Sequence, residues 1–209
     1  MHLVVLSNDI LKNELLAQVP DPVLQITWIA DAQQLTGYSD ADAYLDLLFE
    51  NTQERIQLLK SLGVPVIINS VVSTLAETDA DFVRINGWSG FLQTAVVEAS
   101  STNEAVKALT EQLFRQLGKT VSWVPDQAGF VTPRVVSAIV NEAYFALEEG
   151  VSTKEEINIA MKLGTNYPYG PFEWASITGL SNICQLLQKL SKKQTRYQPG
   201  ILLVSEAEC

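Results

Sequence analysis

The sequence predicts an α/β domain followed by an all-helical one. Three observations carry this. Short β-branched runs alternate with amphipathic stretches up to Val124, the pattern of a mainly parallel, doubly wound sheet with helices on both faces. Beyond Val124 the apolar spacing turns helical almost throughout. The helical stretches there carry their own punctuation: Thr132 and Pro133 at one start, Gly150 and Gly164 at two stops, Pro171 at a further start. The expected domains are residues 1–124 and 125–209.

Taken in order, residues 3–6 read as a short buried strand and 9–18 as a helix with Ile10, Leu11, Leu15 and Leu16 at helical spacing. Strands are expected at 23–29 and 43–49. A helix at 51–62 turns Ile56, Leu59 and Leu62 inward and stops at Gly63. Residues 64–69 form a β-branched strand, with further strands at 82–85 and 95–99. A helix at 102–117, introduced by Ser101 and Glu104, stops at Gly118, and a strand follows at 120–124. In the second domain Val135, Val136, Ile139, Val140, Ala143 and Leu147 give the first helix an apolar face. Ser152 and Glu155 form a capping-box pattern for the next. Tyr167 to Phe172 is a rigid aromatic turn, and the one strand candidate after Val124 is 201–204.

The totals narrow the function. Nearly half of the 209 residues are hydrophobic and no apolar run reaches a membrane-spanning length, so a globular chain with a sizeable core is expected. A net charge of −10 argues against nucleic acid, whose phosphates need a basic surface. The first residues are too short and too uncharged for a signal peptide. The two cysteines, Cys184 and Cys209, lie far apart, which suggests a reduced, cytoplasmic protein without a metal site.

Several motifs occur together from Asp126 onward. They are Asp126, Gly129, Phe130, Val131 and Arg134; Asn141, Glu142 and Ala143; Glu148, Glu149 and Gly150; Ala160, Met161 and Gly164; and Tyr167, Pro168, Gly170, Pro171, Phe172 and Glu173. In this order and spacing the stretch resembles the C-terminal helical domain of the 3-hydroxyacyl-CoA dehydrogenases. The first half is similar to a shortened copy of the same family's Rossmann-like domain. Residues 41–50 sit where the family has A-D-L-V-I-E-A-V-x-E, and 84–88 where it has G-x-H-F-F. The resemblance implies an NAD-linked oxidoreductase acting on 3-hydroxyacyl-CoA in fatty-acid metabolism. It also implies a homodimer paired through the helical domain.

By resemblance, the family's catalytic glutamate corresponds to Glu98 and its substrate serine to Ser73. Its histidine position holds Asn86, and its asparagine before the arginine is Pro133. An asparagine cannot take a proton. The chain's one histidine, His2, opens the first strand, whereas open sheets bind ligands at the carboxyl ends; it is read as a surface residue. Glu98 is either a direct base or a solvated charge. Where phosphate-binding glycines are needed stand Ser7-Asn8-Asp9-Ile10-Leu11-Lys12, with Asp9 a helix-starting acid. Asp31 sits where an acid would hold a ribose hydroxyl, or caps the next turn. Trp28, Trp123 and Trp174 are expected to pack in cores, and Trp88 to pack or to line a pocket. Two readings follow: an NAD-dependent oxidoreductase, or a divergent member without hydride transfer that binds acyl-CoA or a partner. A third has a partner chain supply the missing groups.

Overall fold

The computed structural model describes residues 1–18 and 24–209. It separates into two compact units, Met1–Phe130 and Val131–Cys209. The segment from 125 to 130, expected to open the helical domain, therefore stays with the first unit. Gly129 N–H donates to the Val71 carbonyl at 2.8 Å, and the Gln127 carbonyl accepts from the Arg84 guanidinium at 2.7 Å.

The first unit is a seven-stranded sheet in the order β2-β1-β3-β4-β5-β6-β7. The strands are β1 (His2–Leu6), β2 (Gln25–Ile29), β3 (Ala43–Asp46), β4 (Val66–Asn69), β5 (Val83–Ile85), β6 (Val96–Ser100) and β7 (Thr120–Trp123). Neighbours pair in parallel except β5 with β6, which run antiparallel. The predicted start of the second strand at Val23 lies outside the described residues. Helices α1 (Asp9–Leu16), α2 (Gln53–Lys60), α3 (Leu75–Thr78) and α4 (Glu104–Gln116) cover the sheet. Successive strand residues feed opposite faces, as the period of two requires. Leu3, Val5, Leu45 and Ile67 pack with Leu11 and Leu15 of α1 and with Leu113 and Phe114 of α4. Val4, Leu6, Tyr44 and Ile68 pack with Ile56 and Leu59 of α2 and Leu75 of α3.

His2 corrects an expectation. It does open β1 at the amino end, but it is buried, not a surface residue. Its Nε2 pairs with Thr27 Oγ1 at 2.8 Å and its Nδ1 with Asp40 Oδ2 at 3.2 Å. Two polar partners within the protein offset the desolvation of the ring.

The second unit holds α5 (Thr132–Glu148), α6 (Lys154–Thr165), α7 (Pro171–Thr178), α8 (Leu180–Ser191) and α9 (Ile201–Ala207). Thr132 is the first helical residue of α5 and Val131 its cap, one position earlier than the sequence suggests; Pro133 still sits in the first turn. The capping box of α6 is Thr153 with Glu156, one residue later than the Ser152–Glu155 pair. Ser152 also donates to Glu156, at 2.6 Å, so both hydroxyls serve one carboxylate. Gly170 is needed where the turn passes α6: a Cβ there would lie 2.5 Å from the Asn158 Cα.

Residues 201–204 belong to a helix, not to the strand candidate. Among the described residues the second unit contains no strand to pair with an extended segment. As a helix it buries Leu203 and Ala207. The polar residues of α5 hold it: Asn141 Oδ1 accepts from Gly200 N–H at 2.9 Å, Glu148 Oε1 from Leu202 N–H at 2.6 Å, and Tyr144 donates to Glu206 at 2.7 Å. The cysteines supply a second correction: Cys184 and Cys209 are joined in a disulfide, with Cα atoms 6.5 Å apart. The chain between them turns back through α9, so distance in sequence misled the expectation of free thiols.

Candidate functional site

In an open sheet the crevice for a ligand lies at the carboxyl ends of the strands, where successive connections leave in opposite directions. Here β1 lies between β2 and β3, so the switch falls at the ends of β1 and β3. The loop after β1 is closed by its own side chains. Ser7 Oγ donates to the Asn8 carbonyl at 2.9 Å, and Asn8 Oδ1 accepts from Leu11 N–H at 2.9 Å, capping α1. Asp9 adds a carboxylate to the first helical turn. A dinucleotide pyrophosphate needs bare amides and close backbone approach at this place. The amide of Leu11 is already taken, a negative charge stands beside it, and the loop contains no glycine. These residues do not fit the pyrophosphate of NAD.

Asp31 ends β2 as the cap of a short 3₁₀ turn, with Oδ1 accepting from Gln33 N–H at 2.9 Å. Asp46 ends β3 fully buried. Its Oδ1 accepts from Leu48 N–H at 3.0 Å and its Oδ2 faces Arg55 Nε at 3.6 Å. Burial pushes its carboxyl up to about 6, against the opposing pull of Arg55.

At the ends of β4 and β5 the polar groups lock onto backbone. Asn69 donates through Nδ2 to the carbonyls of Leu47 and Gly87, both at 3.1 Å, and accepts from Gly87 N–H at 2.9 Å. A Cβ on Gly87 would lie 2.7 Å from the Asn69 Cγ, so only glycine lets this clamp close. Ser73, between β4 and α3, accepts from Asn51 Nδ2 at 3.1 Å. Its carbonyl accepts from Ser70 Oγ at 2.9 Å and from the Arg84 guanidinium at 2.8 Å.

The antiparallel step from β5 to β6 brings Asn86 and Glu98 together. Asn86 N–H donates to the Glu98 carbonyl at 2.9 Å, and Asn86 Nδ2 reaches Glu98 Oε2 at 3.3 Å. Asn86 is buried and Glu98 half-buried. A carboxylate oriented by an amide can accept hydrogen bonds, but the amide cannot relay a proton. Two of the four predicted site residues thus touch each other, while Ser73 is engaged by Asn51 and Asp31 caps its own turn. Trp88 is buried.

Arg84 was missed by sequence reasoning. Wholly buried in β5, it donates to the carbonyls of Ser70, Ser73 and Gln127 and stacks on the Phe130 ring at 4.2 Å. The available signal was a charge inside the apolar run Phe82-Val83-Arg84-Ile85. Asp46, within Tyr44-Leu45-Asp46-Leu47, carries the same signal. Among the described residues no group of histidine, cysteine and carboxylate side chains could hold a metal ion, and no helix is long and apolar enough to cross a membrane.

The sheet order and the separate helical unit make this a Rossmann-like, mostly parallel α/β unit followed by an all-helical one. Its second unit corresponds to the family described as 3-hydroxyacyl-CoA dehydrogenase, C-terminal domain, which matches residues 129–205. The chain is 33% identical over 197 residues to 3-hydroxybutyryl-CoA dehydrogenase of Bradyrhizobium diazoefficiens, covering 86% of this chain and 67% of that protein. It is 40% identical over 115 residues to 3-hydroxyadipyl-CoA dehydrogenase of Escherichia coli, 54% of this chain, and there it spans only 23% of the relative's length. In fold it is similar to FadB2 of M. tuberculosis, with a TM-score of 0.80 at 18% identity over 99% of this chain and 93% of that one. A crystal structure of (S)-3-hydroxybutyryl-CoA dehydrogenase from Ralstonia eutropha gives 0.77 at 22% identity, over 98% and 92%. The chain belongs to the 3-hydroxyacyl-CoA dehydrogenase family.

Proposed function

We propose that this chain is a family member that no longer transfers hydride and instead binds an acyl-CoA or a protein partner on the inherited fold. The observation that supports this is the Asn86–Glu98 contact, which by resemblance corresponds to the family's histidine oriented by a glutamate. Hydroxyl oxidation needs a group that accepts the hydroxyl proton and a nicotinamide that accepts the hydride. Asn86 cannot do the first, and the capped start of α1 disfavours the second. These are independent requirements, so one replacement does not compensate for the other.

Calorimetric and thermal-shift titrations against NAD, NADP, acetyl-CoA and acetoacetyl-CoA test this. An acyl-CoA at a hundred times its dissociation constant adds about 2.7 kcal/mol of stability. Stabilisation by acyl-CoA with none by NAD supports the reading. Micromolar NAD affinity, or NADH formation from 3-hydroxybutyryl-CoA at a rate typical of dehydrogenases, overturns it.

The helical unit is the proposed self-association surface, as the family resemblance implies. The supporting observation is that α6 has no buried residue, while Ile159 and Leu163 on it are exposed. A helix carrying large apolar side chains on an open face is normally covered. A two-fold pair is the commonest way to cover it.

A further inference from the structure

We propose that Cys184 and Cys209 form a reversible thiol–disulfide site that latches the C-terminal helix α9 onto α8, and that a dithiol reductant releases it. Cys184 lies fully buried on α8, and Cys209 is exposed, just beyond the end of α9. The bond therefore joins a buried sulfur on α8 to an exposed cysteine just after α9.

The latch matters because α9 is weak by itself. It has seven residues, far below the length at which an isolated helix persists in water. Its apolar hold is Leu203 and Ala207. Its polar hold is the set of bonds to Asn141, Tyr144 and Glu148, together with an ion pair between Glu206 and Lys154 whose side chains are about a third exposed. Ion pairs that open to solvent contribute little. Cutting the disulfide leaves α9 on these contacts alone, and its opening uncovers Tyr144 on α5 and the wall of α8 around Cys184.

The exchange is balanced. A dithiol thiolate attacks the exposed Cys209 sulfur, the S–S bond breaks, and Cys184 leaves as a thiolate that takes up a proton. The second thiol of the reductant then closes its own disulfide and releases Cys209. Two electrons and two protons pass from the dithiol to the protein.

The test uses the full chain, equilibrated in oxidised glutathione or in dithiothreitol. Thiol counting is expected to find no free thiol in the first state and two in the second. Amide exchange in residues 201–207 is expected to rise about tenfold or more on reduction, with the interior of α5 and α8 unchanged. Cys209→Ser, which alters only an exposed side chain beyond α9, should show the fast exchange in both buffers. Two free thiols in the oxidised protein, or exchange at 201–207 that ignores both reduction and Cys209→Ser, overturns the proposal.

Discussion

Arg84 Nε lies 3.1 Å from Asp126 Oδ1, and this ion pair ties the middle of β5 to the segment that leaves the first unit. The guanidinium is wholly buried, while the carboxylate keeps a fifth of its surface in water. Asp126 uses its other oxygen on α3, accepting from Leu75 N–H at 2.9 Å. Burial lowers the Arg84 guanidinium to about 10, and Asp126 opposes that shift. One long side chain and three carbonyls thus form a polar hub.

Removing the hub's centre strands those partners. Arg84→Met is expected to lose about 3–5 kcal/mol, because it leaves a carboxylate and several carbonyls unsatisfied. Asp126→Asn should lose less, since the amide oxygen still caps α3. Urea unfolding of both variants checks the ranking; equal losses would mean that the ion pair, and not the carbonyl set, dominates.

Asp46 predicts a pH dependence. Its folded carboxyl titrates near 6 against 3.8 for the ordinary group, so the folded state favours the protonated form. That contribution is complete below about pH 4 and is lost as pH rises through 6. The loss is on the order of 3 kcal/mol. Asp46→Asn removes this group's titration. The stability difference between variant and wild type should therefore move in favour of the variant between pH 4 and 6, and then stay level. A flat difference across the window would show that Arg55 holds the carboxylate charged.

Asn86→His restores the residue type that the family uses but leaves Asn8 and Asp9 at the start of α1. No oxidation of 3-hydroxybutyryl-CoA is expected from this variant. NADH absorbance is the readout, and turnover from the single change would mean that the loop after β1 accepts the cofactor.

Leu163→Glu places a charge on the exposed face of α6 without touching a core. Sedimentation equilibrium should show association in the wild type at micromolar concentration and a single chain in the variant. A wild type that sediments as one chain at all concentrations removes the self-association proposal. Tyr144, buried and bonded to Glu206, is unsuited to this test because a charge there unfolds the unit.

Much of this could be read along the chain. Strand runs such as Val66 to Asn69, and stops such as Gly63, Gly118 and Gly150, are local signals, and local physics fixes them. Helix starts slipped by a residue where two capping sets overlap, as in Ser152-Thr153 with Glu155-Glu156, because either register satisfies the amides. The Ile201 segment was ambiguous, since its form depends on Asn141, Tyr144 and Glu148 more than fifty positions away. The Arg84 hub stayed hidden for another reason: its partners are mostly carbonyls, which every residue owns and no sequence displays. The Cys184–Cys209 bond needed the return path of the chain. For the site, the resemblance pointed to Asn86 and Glu98 separately, and their contact followed only from the antiparallel step.

That step has a consequence for protein engineering. Asn86 and Glu98 are held opposite one another by a main-chain hydrogen bond across β5 and β6, so the ladder sets the spacing of their side chains. The two positions therefore work as a fixed socket. Chemistry can be swapped in and out of it, acid for amide or amide for imidazole, while the mounting stays where it is.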